Sequence, residues 1–379
     1  MSKLTIGVIG KSGKENEKRV PIHPEHLDWI QSELYPYLYF ESGYGEPFGV
    51  PDETIRAKNM QVVSREEIFQ CDMVLLPKPV LADFEAMKSG GILWGWPHCV
   101  QQQTFTQISI DKKLTLIAWE AMHKWNRNGS RQMHIFYKNN EMAGYCAVLD
   151  ALRLTGMDGF YGRPRRVTVI SLGSVSRGAI YALKGRGFTD ITVYTRRPSV
   201  WVADQVIGVQ YRQFYAGDDG RLKVIDDNHN EYPLIDDLET MDIIVNGILQ
   251  DTDNPVMFVH ADEIHRFPSG SLIIDVSCDL GMGFPFARPT SFENPTFTVG
   301  GITYYAVDHT PSYLWDSASR EISKALLPYL PVVIEGHEAW DRDETIHRAI
   351  EIREGVIQNP KILSFQHRSP EYPHPIVSH

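Results

Sequence analysis

The fold is decided by the stretch Arg166-Val167-Thr168-Val169-Ile170-Ser171-Leu172-Gly173-Ser174-Val175-Ser176-Arg177-Gly178. Its β-branched first part reads as a buried strand, and the small residues after it read as a turn opening a helix that runs through residue 183. Residues 191–194 read as the next strand, so strand, turn, helix and strand fit within about 30 residues, the size of a mononucleotide-binding unit. At such a turn a pyrophosphate can approach the backbone and meet the free N–H groups of a helix N-terminus. The usual fingerprint is G-x-G-x-x-G/A; here Ser171 stands at the first glycine, Gly173 at the second and Ser176 at the last position. Ser171, Gly173, Ser174, Val175 and Ser176 are therefore candidate cofactor contacts, although a tight turn in a flavodoxin-like sheet would read the same way.

The end of the second strand carries Tyr194-Thr195-Arg196-Arg197, where an NAD site normally places an acidic residue against the ribose hydroxyls. Two guanidiniums suit a 2′-phosphate instead, through charge-assisted, forked hydrogen bonds. NADP(H) is thus the expected cofactor, with NAD(H) as the alternative, and Thr195, Arg196 and Arg197 as its contacts; a solvated arginine pair is the plainer reading of the same residues. Strands over 242–245 and 271–276 extend the sheet, and Asn246, at the end of the first of these, is a further candidate for cofactor binding. The connection from Arg197 to Asp236 is long and carries the polar run Ala216-Gly217-Asp218-Asp219-Gly220.

Outward from this block, residues 4–9, 37–41, 60–63, 73–76 and 114–119 read as strands and 24–34 as a helix, an α/β pattern without a glycine-rich phosphate loop. A helical stretch over 133–154 has the length to bridge two domains. Beyond Asp308-His309-Thr310-Pro311-Ser312 a helix with Ile322, Ala325 and Leu326 on one face, capped by Ser317 or Asp316, is placed to cross back to the first domain. The tail after Gln366, rich in proline and histidine, is expected to be poorly ordered.

A chain of 379 residues is too long for one ordinary core, which points to two domains sharing a cleft. The expectation is a discontinuous α/β substrate domain over 1–143 and 308–379 and a Rossmann domain over 144–307. Acidic residues outnumber basic ones by 48 to 37, a formal charge of -11, so the net field repels nucleic acid and anionic membrane surfaces. Cys71, Cys99, Cys146 and Cys278 are far apart and form no C-x-x-C pair, which suggests a reducing cytoplasm and no thiolate zinc site. No apolar run approaches a membrane span. The 14 histidines do not suggest a metal either, since pairs such as His260 and His265 lack zinc spacing.

In the first domain, Arg19 follows the first strand, Lys78 ends the apolar run Val74-Leu75-Leu76-Pro77, and His98 follows Leu93-Trp94-Gly95-Trp96-Pro97. A lysine and a histidine delivered by neighbouring apolar strands make a general acid/base pair if they share a site. Singly, they read as a snorkelling edge lysine and a core histidine.

Taken together, Glu41-Ser42-Gly43-Tyr44-Gly45, Gly95-Trp96-Pro97-His98-Cys99-Val100-Gln101, Ile117-Ala118-Trp119-Glu120, Asn139-Asn140-Glu141-Met142-Ala143-Gly144, Ile274-Asp275-Val276-Ser277-Cys278-Asp279 and Val307-Asp308-His309-Thr310-Pro311-Ser312 resemble the alanine dehydrogenase, transhydrogenase and saccharopine dehydrogenase superfamily. Within it the resemblance is closest to the Nδ-(carboxyethyl)ornithine synthases. It implies a Rossmann domain packed against a discontinuous substrate domain, with the reaction in the cleft between them. It further implies that Arg19 holds a substrate carboxylate and that Lys78 and His98 are the acid/base groups of imine formation and reduction. Asp308 and His309 match the saccharopine dehydrogenase motif near the nicotinamide, and Asp279 falls where alanine dehydrogenase has its active-site aspartate. Glu120 is expected to tune the lysine and histidine, and Arg131, in the unusual stretch 122–132, to hold a second carboxylate unless it is a solvated loop arginine.

The implied reaction joins an amino-acid amine, ornithine- or lysine-like, to a 2-oxo acid such as pyruvate through an imine reduced by hydride. An amino-acid dehydrogenase or imine reductase on the same fold, and a non-catalytic NADP-binding module, are the competing readings. Relatives of this architecture range from monomers to hexamers, so a homo-oligomer is within expectation. Two departures bear on substrate identity: Ser171 in place of the synthases' glycine, and the long 197–236 segment.

Overall fold

The computed structural model describes residues 3–226, 228–251 and 253–377. The chain divides into two compact units, one made of the segment ending at Tyr137 together with that beginning at Leu314, the other of Lys138–Tyr313. The expected exchange points, 143 and 308, both fall inside the second unit. The reason is local: the helix Tyr137–Thr155 belongs almost wholly to that unit, and Thr310 Oγ1 donates to the Ala143 carbonyl at 2.9 Å.

In the first unit eight strands form one sheet, in the order Val356–Ile357, Ile350–Arg353, Thr115–Ala118, Ile92–Gly95, Met73–Leu76, Ile6–Val8, Leu38–Glu41 and Gln61–Val63. The six strands from the N-terminal segment run parallel, and the two from the C-terminal segment add antiparallel at one edge. Met73–Leu76, Ile92–Gly95 and Thr115–Ala118 are buried at every position, as their continuous apolar runs require of parallel strands covered on both faces. One core joins Ile6, Leu75 and Trp94 to Ile322, Leu326 and Trp340; the other joins Val74, Leu76 and Leu93 to Ile352 and Ile362. Both faces of the sheet are therefore closed by the returning C-terminal segment.

Four expectations change here. Residues 24–34 form no single helix but the 3-10 turns Pro24–Trp29 and Ser32–Tyr37, separated by an extended Ile30, with Pro36 unable to donate within the second. The helix expected over 133–154 starts at Tyr137, because Arg131–His134 pairs with His123–Trp125 as an antiparallel hairpin. The helix Trp315–Leu326 has Leu314 at its N-cap, with no side-chain cap; Asp316 lies in the first turn, its Oδ1 3.1 Å from His23 Nε2. The described tail, to Val377, is packed onto the fold, with Arg368 and His374 buried: Arg368 Nε donates to Gln366 Oε1 at 2.7 Å, and His374 Nδ1 lies 3.0 Å from the Ser369 carbonyl.

The second unit holds a nine-stranded sheet in the order Glu231–Pro233, Leu222–Ile225, Gln210–Ala216, Asp190–Thr195, Arg166–Ile170, Ile243–Asn246, Leu272–Asp275, Ile302–Tyr305 and Thr296–Val299. The six strands from Gln210–Ala216 to Ile302–Tyr305 in this order run parallel, while Leu222–Ile225, Glu231–Pro233 and Thr296–Val299 join through antiparallel pairings. Arg166–Ile170 is flanked by later strands on both sides, which makes its carboxyl end the topological switch point, where open α/β sheets bind ligands. The polar 197–236 segment is thereby explained: it supplies three strands that extend the sheet at its far edge. Gly178 lets the helix Ser174–Gly185 press on Tyr137–Thr155, since a Cβ there would meet the Glu141 carbonyl oxygen at 1.7 Å. No helix among the described residues is long and apolar enough to cross a membrane.

Candidate active site

The parallel register of the first sheet assembles the acid/base group. Leu76 pairs with Gly95, and Gly95 with Ala118, so residues just past the three strand ends emerge side by side. Gly95 is required for that approach, because a Cβ would lie 2.0 Å from the Leu76 carbonyl oxygen. Lys78 and His98 meet there, Nζ to Nε2 at 2.9 Å. A single proton can occupy that bond, given by a lysine ammonium to a neutral imidazole or by an imidazolium to a neutral amine. His98 sits at φ +49°, held by its own N–H, which donates to Glu120 Oε1 at 2.6 Å. Its ring Nδ1 is 3.7 Å from the same oxygen, beyond hydrogen-bond range, and 39% of its side-chain surface stays open, so the ring is accessible to a substrate.

Glu120 is the electrostatic partner of this pair. Its Oε2 is buried without a hydrogen-bond partner among the described residues, and so is Oε2 of Glu351, whose Oε1 accepts from Asn359 Nδ2 at 3.0 Å. Burial first, and the neighbouring Glu351 second, push the Glu120 carboxyl up to about 8, while burial raises Glu351 to about 7. Sequence reasoning missed Glu351. It lies between Ile350 and Ile352 at a register shift in Ile350–Arg353, the strand next to the edge, and its side chain is buried there.

Arg19 is buried, its guanidinium gripped by Glu17 through Nε to Oε1 at 2.8 Å and Nη2 to Oε2 at 2.5 Å. It also stands over the Trp96 ring at 5.0 Å, which ties it to the strand leading to His98. Glu17 was missed as well; only its place two residues before Arg19 could have signalled it. Arg131 is exposed on the hairpin, 5.9 Å from the Trp125 ring that Arg348 covers more closely at 4.1 Å.

In the second unit, a cavity of about 790 Å³ opens at the switch point, lined by Ser171, Gly173, Ser174, Val175, Thr195, Arg196 and Arg197, with Gly247 opposite. Its volume and the N-terminus of the helix Ser174–Gly185 fit a dinucleotide, whose phosphates would meet the free N–H groups there. Ser171 adopts φ +83°, the conformation a glycine would take for free, and its Oγ lies 2.8 Å from Ser176 Oγ. Ser176 is thus fully buried behind the turn and does not line the cavity. Neither does Asn246, whose amide donates to Asp275 Oδ1 at 2.9 Å; Asp275 also accepts from the Tyr304 hydroxyl at 2.6 Å and is raised by burial to about 6. Arg177, unremarked in the sequence, donates to the Asp204 carbonyl at 2.6 Å and fixes the loop beyond Arg197.

Asp279 also lies off the cavity lining, and burial raises its carboxyl. Asp308 and His309 lie in this unit: His309, at φ +43°, buries its ring against Phe292 at 4.9 Å, with Nδ1 3.2 Å from Asp308 Oδ2. Among the described residues no cluster of His, Cys, Asp or Glu could hold a metal.

Residues 8–143 match the alanine dehydrogenase/PNT N-terminal domain and residues 151–360 the corresponding C-terminal domain. The chain belongs to this family, and with it to the nicotinamide-nucleotide-dependent oxidoreductases. Among curated relatives, an N(5)-(carboxyethyl)ornithine synthase of Clostridium botulinum is 28% identical, covering 82% of this chain and 89% of its own length. An alanine dehydrogenase of Methanococcus maripaludis is 25% identical, covering 95% and 91%. Of solved structures, an L-alanine dehydrogenase superposes with a TM-score of 0.74 at 19% identity over 96% of this chain and 99% of its own. A transhydrogenase from Sinorhizobium meliloti gives 0.69 at 18% over 93% and 99%.

Proposed function

We propose that the protein is an NADP(H)-dependent opine-type dehydrogenase that condenses the amine of an ornithine- or lysine-like amino acid with a pyruvate-like 2-oxo acid and reduces the resulting imine. The observation that carries this reading is the 2.9 Å bond between Lys78 and His98, backed by Glu120. NADPH, when bound, supplies the hydride that reduces the imine carbon. Everything else falls to side chains. The Lys78–His98 pair relays the two amine protons in turn to the oxo oxygen, the first as the carbinolamine forms and the second as its C–O bond breaks, so that the oxygen leaves as water and the nitrogen becomes the imine. A neutral Glu120 keeps a fixed negative charge away from those protons.

Arg19 takes the substrate carboxylate in this proposal. The grip of Glu17 and the stacking on Trp96 orient its guanidinium before substrate arrives, which is what a bidentate anchor needs. Arg196 and Arg197 take the 2′-phosphate. Asp308, His309 and Arg131 are assigned to the substrate side, with Asp279 beside the nicotinamide. We further propose that the protein is cytoplasmic and acts as a homo-oligomer.

The amino-acid dehydrogenase reading has a specific support, the match to alanine dehydrogenase along 95% of the chain. The two separate on the amine: NADPH consumption with ornithine or lysine plus a 2-oxo acid, and none with ammonia, supports the condensation. Consumption with ammonia alone moves the assignment to an amino-acid dehydrogenase.

A further inference from the structure

The C-terminal tail ends in a chain of buried polar groups that leads to the His98 loop. Gln366 is buried, and its Nε2 donates to the carbonyls of Cys99 at 2.6 Å and Val100 at 3.2 Å, the two residues that follow His98. The same nitrogen lies 3.1 Å from Thr106 Oγ1, which itself donates to the Cys99 carbonyl at 3.0 Å. Arg368 sets the direction of the amide, since its Nε donates to Gln366 Oε1 at 2.7 Å and leaves Nε2 facing the loop. The Arg368 guanidinium in turn donates to Gln107 Oε1 at 2.9 Å and to the His374 carbonyl at 3.1 Å. His374 closes the chain: Nδ1 is 3.0 Å from the Ser369 carbonyl, and Nε2 accepts the Ile357 N–H at 3.1 Å, so a neutral ring anchors the tail on the edge strand.

Simple packing would cover this surface with apolar side chains. Burying an amide is costly unless it is bonded, and here the Gln366 amide bonds converge on two carbonyls of one loop while Arg368 holds the amide in that orientation. That loop holds His98 at a positive φ, with Glu120 Oε1 fixing it on the strand side and Gln366 on the far side. The geometry points to Gln366 as a positioning residue: the tail clamps the loop that carries the acid/base histidine and so keeps His98 Nε2 against Lys78 Nζ. The catalytic consequence rests on the function proposed above; the clamp itself does not.

The test uses the full chain and a Gln366→Met variant, which keeps side-chain length but loses both carbonyl bonds, with Gln366→Asn as a second variant should the first fail to fold. Amide exchange is followed at Gln101 and Gln102, which donate to the His98 carbonyl at 3.2 and 3.1 Å. Exchange there should accelerate at least about tenfold, and kcat should fall by roughly 10- to 100-fold with NADPH affinity unchanged, as a displacement of about 1 Å at a catalytic group produces. Unchanged exchange overturns the clamp whatever happens to the rate, and accelerated exchange with an unchanged kcat overturns the positioning role. If the wild-type protein consumes no NADPH with any amine and 2-oxo acid pair, the functional reading fails; exchange then decides the clamp alone, acceleration supporting it and no change overturning it.

Discussion

The 2.9 Å bond between Lys78 Nζ and His98 Nε2 joins the two residues in one hydrogen-bonded unit, so in the proposed role deleting either partner disables both. Lys78→Met and His98→Gln should each lower kcat by about 10²- to 10⁴-fold, the range for a lost general acid/base. NADPH affinity, measured by fluorescence titration, should stay unchanged, because the cofactor cavity is lined by the second unit. The carboxyls behind the pair have a signature in stability. Glu120 is raised from 4.5 to about 8 and Glu351 from 4.5 to about 7, so the folded chain holds protons there that the unfolded chain has released. Stability from these groups is full below their unfolded values and is lost as pH rises through the folded ones. The stability of wild type relative to Glu351→Gln, read from urea denaturation, should therefore fall as pH is raised from about 5 to 8. The comparison cancels His26 and His134, whose lowered values act in the opposite sense below 6.5. Lys78, His98 and Arg19 were legible because strand ends and charge mark them. Glu17, Glu351 and Gln366 were not, because each acts through contacts set by tertiary packing.

At the scale of elements, the turn after Arg166–Ile170 was read correctly as a strand-to-helix bend, and the structure explains why it tolerates a serine. Ser171 takes the left-handed backbone, and its hydroxyl lies against Ser176, itself buried where the fingerprint expects a small residue. Ser176 and Asn246, expected among the cofactor contacts, bond within the fold to Ser171 and Asp275, since period and position do not reveal which way a short side chain bonds. The arginines at the end of Asp190–Thr195 do line the cavity. Replacing Arg196 and Arg197 with serine should weaken NADPH binding by roughly tenfold or more per residue, the scale of a charged hydrogen bond, and leave NADH binding nearly unchanged. Equal losses for both cofactors would remove the case for a 2′-phosphate site.

For the whole molecule, the sequence reading places a first domain at 1–143 and 308–379 and a second at 144–307; the chain divides into compact units with the breaks after Tyr137 and Tyr313. Less legible was how much the return contributes. It supplies two edge strands and part of both cores in the first unit. The fragment Lys138–Tyr313 should accordingly fold alone and bind NADPH, whereas residues 1–137 alone should show no cooperative unfolding by circular dichroism. The proline- and histidine-rich tail misled because composition signals disorder, while its bonds to the His98 loop join residues separated by more than 260 positions.

The most direct test of the central claim is mass spectrometry of the products formed with NADPH, ornithine or lysine, and pyruvate. The account predicts a secondary amine whose mass is that of the amino acid plus the oxo acid less one oxygen atom, formed by wild type and lost in Lys78→Met. A folded wild-type protein that binds NADPH yet forms no such adduct with any amine and 2-oxo acid pair would contradict it.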